Sequence, residues 1–130
     1  MNMDGLVKSM EDVMVEIHTG MFNRAKKARD DNLPTVTQWD DFMHQLNQKK
    51  ICLGAWCNTV ACEENVKARS KEESLAAMEA ANEGEVLLTG AAKTLCIPYE
   101  LGKQDFSEEP ENCFVCGKPA ECTALWARSY

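Results

Sequence analysis

Four of the seven cysteines in this 130-residue chain fall into two close pairs. Cys57 and Cys62 stand with four residues between them, and Cys113 and Cys116 with two, followed directly by Gly117. Zinc takes four ligands in a tetrahedron, and two short-range cysteine pairs on tight turns present sulfurs that can converge on one ion while backbone N–H groups remain free to hydrogen-bond them. The spacing therefore predicts one structural Zn²⁺ held by Cys57, Cys62, Cys113 and Cys116. Buried thiols that merely pack are the plain alternative. Against it, Cys57 and Cys62 flank the polar Asn58 and Thr59, where an apolar packing residue gains little. A redox pair is the second alternative for Cys113 and Cys116, but Gly117 and Pro119 put that pair in a turn, whereas the redox motif opens a helix. A catalytic zinc would keep one position open for water and recruit His or a carboxylate; four thiolates close the site. Cys52 and Cys96 sit in apolar runs and Cys122 inside the last expected strand, so these three read as small core residues.

No paired acid and base stands out, and no catalytic residue is assigned. His18 and His44 lack Cys or acidic partners at ligand spacing and read as structural. The net charge is −7. Four thiolates and one Zn²⁺ take it to −9, a balance that repels phosphate backbones and disfavours independent binding of DNA or RNA. The cluster Arg24, Lys26, Lys27 and Arg29 is the local exception and reads as a solvated helix face. Charges at Asp4, Lys8, Glu11, Asp12 and Glu16 break up any leader or membrane-spanning stretch, and unpaired thiols suit a reducing compartment, so the chain reads as cytosolic.

The elements that must carry these cysteines are legible as periodicities. Leu6, Met10, Val13, Met14, Ile17, Met21 and Ala25 recur at three- and four-residue steps, which predicts a long amphipathic helix from about 5 to about 30, its methionines read as core filler. Thr37 and Asp40 have the spacing of a capping box for a second helix, with Trp39, Phe42, Met43 and Leu46 on its buried face. The run 51–56 predicts a buried strand leading into Cys57. A helix is expected after Cys62, continuing irregularly through 71–82 as an exposed, partly mobile helix or loop. A strand over 92–99 is closed by Pro98, the stretch 102–112 is a solvated acidic loop, and 121–129 forms a last strand. These elements divide into a helical lead-in over 1–50 and a core over 51–130, packed together as effectively one domain, 1–130.

The blocks Trp56-Cys57-x4-Cys62-Glu63, Gly90-Ala91-Ala92-Lys93-Thr94-Leu95-Cys96-Ile97-Pro98, Cys113-x2-Cys116-Gly117-Lys118 and Arg128-Ser129-Tyr130 occur in that order. Together they resemble the C-terminal zinc-binding domain of eukaryote/archaeon-type prolyl-tRNA synthetases, over nearly the whole chain. The resemblance implies an α+β fold: a small mixed β-sheet with helices on one face and a four-cysteine zinc site. It implies a parent class II enzyme, a cytoplasmic homodimer, that uses ATP to attach proline to tRNA(Pro) through catalytic and anticodon-binding domains lying upstream. This chain shows no class II motif and is not expected to aminoacylate alone. Its implied service is architectural, with Tyr130 packing toward the catalytic domain. A free-standing zinc-stabilised interaction module associated with translation is the competing reading. Met1 opens onto a helix already under way, which favours a piece of a longer protein, and the coding sequence upstream of Met1 separates the two.

Overall fold

In the computed structural model, which describes residues 2–81 and 90–128, the chain forms two compact units, 1–32 and 33–130. The first is helix α1, Met3–Asp31. Asn2 caps it by accepting from the Asp4 N–H, and Asn32 closes it by donating its side-chain amide to Ala28 O at 2.8 Å. The periodicity gives the helix correctly, but its methionines are not core filler: Met10 and Met14 are 61% and 66% exposed. Spacing identifies a face fit for burial; it does not supply the surface that covers it.

The second unit is built on a four-stranded mixed sheet. Its strands are β1 (Thr35–Val36), β2 (Cys52–Trp56), β3 (Ala92–Cys96) and β4 (Cys122–Arg128), in spatial order β1-β2-β4-β3. β1 runs parallel to β2, and β4 runs antiparallel to both β2 and β3. The last strand of the sequence is thus central, which is why Trp126 is fully buried. Cys52 pairs with Trp126, Gly54 with Ala124 and Trp56 with Cys122, and alternation along a strand sends these six to one face. Helix α2 (Trp39–Asn47) covers that face with Trp39, Phe42, Met43 and Leu46, all buried. The opposite face, at Ala55, is covered by Phe106 and Ala120.

Several expectations are corrected here. The four apolar residues of α2 belong to the core of the second unit. The capping box does not form. Gln38 occupies the N-cap of α2 with no side-chain bond, and Asp40 and Asp41 complement the first turn electrostatically instead. Helix α3 runs unbroken from Val60 to Ala80, so 71–80 is helix rather than loop; as expected it is exposed there, all but Glu73 and Ser74. It buries Cys62, Val66, Ser70 and Ser74 at four-residue steps, one helical face, with Ser70 Oγ accepting from the Ala92 N–H at 2.8 Å. Cys96 is exposed, not core. β3 is an edge strand, and a register shift between Thr94 and Cys96 breaks its alternation. Within the acidic loop, Phe106 is buried, with Lys103 Nζ 5.4 Å from its ring centre.

Candidate metal centre

Each sulfur of the two cysteine pairs is placed by a different device. Cys57 follows the end of β2, where Asn58 takes the left-handed φ of 55° that turns the chain out of the strand. Thr59 then caps α3: its Oγ1 accepts from the Cys62 N–H at 3.3 Å and lies 3.2 Å from Cys57 Sγ. One hydroxyl therefore ties the first pair together and sets Cys62 in the opening turn of α3. The second pair lies on a tight turn in which the Gly117 N–H donates to Cys113 O at 3.0 Å, with Gly117 at φ 70°. The Cys113 N–H donates to Lys118 O at 2.7 Å, closing the knuckle.

The knuckle is fastened to the sheet by its own aromatic residue. Phe114 N–H donates to Ala55 O at 3.1 Å, and the Glu121 N–H donates to Trp56 O at 2.8 Å. The Phe114 ring enters the core against Trp39, Phe42 and Trp126, at centroid distances of 6.5, 4.8 and 5.6 Å. Gly54 leaves it room: a Cβ there would lie 2.8 Å from Phe114 Cδ1. Thr59 and Phe114 are the site residues that sequence reading passed over. Thr59 three residues before Cys62 is an N-cap signal, and an aromatic inside a cysteine knuckle is an anchor signal.

These devices bring the Sγ atoms of Cys57, Cys62, Cys113 and Cys116 within 4.8 Å of one another, a group that could hold a metal ion. Cys62 and Cys113 are 3.7 Å apart, as are Cys57 and Cys116. With Zn–S bonds near 2.3 Å, the edge of a tetrahedron of sulfurs is about 3.8 Å, so the donor set and spacing fit such an ion. Cys57, Cys62 and Cys113 are buried and Cys116 is exposed.

The thiols differ in acidity for reasons visible in the packing. Burial pushes Cys57 up, but hydrogen bonds from the side chain and backbone of Thr59, and from the neighbouring thiols Cys116 and Cys62, outweigh it and hold Cys57 below the ordinary thiol range. Burial, then the charge and hydrogen bond of Cys113, raises Cys62. Cys116 is raised too, by burial and the neighbouring sulfurs, against a backbone hydrogen bond from Lys118. Outside the cluster, burial and the charge of Asp41 push Cys52 up to about 12, as an inert packing thiol requires. Tyr130 lies outside the described residues.

The family described as "Prolyl-tRNA synthetase, C-terminal" matches residues 39–130. The chain is 38% identical over 127 residues to the cytoplasmic proline–tRNA ligase of Arabidopsis thaliana, covering 96% of this chain and 20% of that protein. A putative proline–tRNA ligase of Schizosaccharomyces pombe is 35% identical over 130 residues, covering 98% of this chain and 18% of its own length. The crystal structure of prolyl-tRNA synthetase from Cryptosporidium parvum, complexed with L-proline and AMP, superposes with a TM-score of 0.71 at 27% identity, over 100% of this chain and 23% of that one. The chain thus spans about a fifth of the length of the curated relatives it matches. With 39–130 matched and the cysteine knuckles embedded in that stretch, the chain belongs to the prolyl-tRNA synthetase C-terminal domain family.

Proposed function

We propose that residues 1–130 serve as one structural zinc-binding domain of a longer prolyl-tRNA synthetase, with Cys57, Cys62, Cys113 and Cys116 as the four ligands of one Zn²⁺. The observation that carries this is the convergence of four sulfurs from two distant turns. The ion supplies cross-linking, and four thiolates leave no coordination position for a substrate. This chain's own residues do the rest. Thr59 orients the first pair, and Phe114 locks the second into the aromatic core. In this reading the parent enzyme attaches proline to tRNA(Pro) with ATP in the cytoplasm as a homodimer. This domain braces the parent's catalytic and anticodon-binding domains and meets tRNA only through them. No described helix is long and apolar enough to cross a membrane.

Elemental analysis of the purified chain tests the metal: one zinc per chain is expected. A structural Zn²⁺ contributes roughly 10–16 kcal/mol of apparent binding energy, comparable to a whole domain's net stability. Chelation should therefore abolish the cooperative melting transition of residues 33–130, and an unchanged transition after verified removal refutes a structural role. The bracing role has its own test. Deleting Ser129 and Tyr130 from the longer enzyme should slow proline activation without altering zinc content.

A further inference from the structure

At the far end of α2 the chain keeps a lysine where its backbone favours glycine. The Lys49 N–H donates to Leu46 O at 3.0 Å and the Lys50 N–H to Gln45 O at 3.2 Å, the two bonds of a Schellman termination. Lys49 sits at its left-handed position, φ 63°, where a Cβ is disfavoured and glycine is usual. Strain of this kind persists where the side chain has a use. Beside it opens a cavity of about 220 Å³ lined by Leu46, Lys49, Lys50, Ile51, Ala127 and Arg128. Half of its described lining is cationic, on a chain whose net charge is −7. The other half is apolar. Arg128 is fixed in the wall, its Nη2 donating to Asn47 Oδ1 at 2.7 Å and to Ser74 Oγ at 3.0 Å.

The dimensions choose the occupant. Sites for drug-sized ligands and cofactors run to roughly 300–1,000 Å³, so this cavity takes one or two side chains rather than a nucleotide. Among the described residues that line it none is aromatic, so they offer nothing on which a base could stack. The geometry points to a docking site for an acidic peptide segment of a partner protein: one apolar side chain enters against Leu46, Ile51 and Ala127, and flanking carboxylates meet Lys49 and Lys50. The proposal does not depend on the metal or on the synthetase reading.

A purely structural role is the competing account, in which the two lysines only complement the negative end of α2. Lys49→Gly separates them, because it keeps the turn and removes the strain. Both accounts expect a higher melting temperature for it; only docking expects weaker binding. The probe is a fluorescein-labelled Glu-Glu-Leu-Glu-Glu peptide titrated into the full 130-residue chain, read by fluorescence polarisation and by amide shifts in NMR. Expected are shifts confined to Lys49, Lys50, Ile51 and Ala127, and affinity roughly tenfold weaker in Lys49→Gly and Lys50→Gln and weaker again at high salt. Replacing the peptide's leucine by alanine should weaken binding as well. Absence of pocket shifts at millimolar peptide overturns the proposal, as does unchanged affinity in both variants. Tighter binding there of a single-stranded RNA of equal charge also overturns it, in favour of a nucleic-acid site.

Discussion

Cys57 and Cys122 are both buried cysteines near the end of β2, yet they have different surroundings. Cys57 receives hydrogen bonds that favour its thiolate, whereas burial and the charge of Glu121 raise Cys122, whose Sγ lies 4.0 Å from Trp56 O. Replacing each by serine should therefore separate ligand from filler. Cys57→Ser is expected to lose stoichiometric zinc and the cooperative melting transition, whereas Cys122→Ser should keep its zinc and lose only about 1–3 kcal/mol for a buried hydroxyl. Elemental analysis beside calorimetry reads both. Thr59→Ala removes an N-cap costing about 1 kcal/mol, and because the same hydroxyl contacts Cys57 it should also speed chelator-driven metal loss. The four clustered cysteines were legible from spacing alone, because ligand geometry restricts spacing. Thr59 and Phe114 were not read, since a cap and an anchor are recognised through what they touch.

At the scale of elements, α3 and the knuckle are held by contacts that a hydrophobic pattern does not reveal. Two of the four residues α3 buries are serines, so that face carries little apolar signal, while the exposed end of the helix, 75–80, is as the sequence led one to expect. β2 was legible as a short continuous apolar run, and the face of α2 because its apolar residues follow the helical period. β1 was not: two residues hold no period, and its pairing with β2 is a tertiary fact. Near the start of α3, Glu63 accepts from the Thr94 hydroxyl on β3 and pairs with Lys67 at 3.5 Å. The Thr94 bond, opposed in part by burial and aided by Lys67, holds the Glu63 carboxyl below its ordinary 4.5. A carboxyl whose folded value is depressed contributes stability that is present above its unfolded value and lost as pH falls through the folded one. Glu63→Gln should accordingly flatten the acid limb of the stability curve below about pH 4.5 and leave the neutral region with a small, constant loss, seen by urea unfolding across pH. Gly54→Ala tests the other junction. With Phe114 Cδ1 2.8 Å from the added carbon, the ring must shift, and a cost of about 1–3 kcal/mol is expected from the denaturation midpoint.

For the molecule as a whole, charge and core are distributed unevenly between the two units. The basic cluster on α1 is largely neutralised within its own helix: Lys26 pairs with Asp30 at 2.6 Å, Lys27 with Asp31 at 2.5 Å, and Arg29 with Asp30 at 2.7 Å. Exposed pairs of this kind add little stability, but they leave few net cations for a phosphate backbone. The buried hydrophobic residues begin at Val36, so the second unit contains its own core, its own sheet and all four clustered cysteines. A single helix of 29 residues with an exposed apolar stripe has no such resource, since isolated helices owe little to propensity and most of their stability in proteins to packing. A fragment of residues 33–130 should therefore fold alone, bind one equivalent of zinc and melt within a few degrees of the full chain. A fragment of residues 1–32 should be only partly helical by circular dichroism. If the longer fragment instead failed to bind zinc or unfolded without a cooperative transition, the sheet and knuckles would require α1, and the division at residue 32 would not be one of stability.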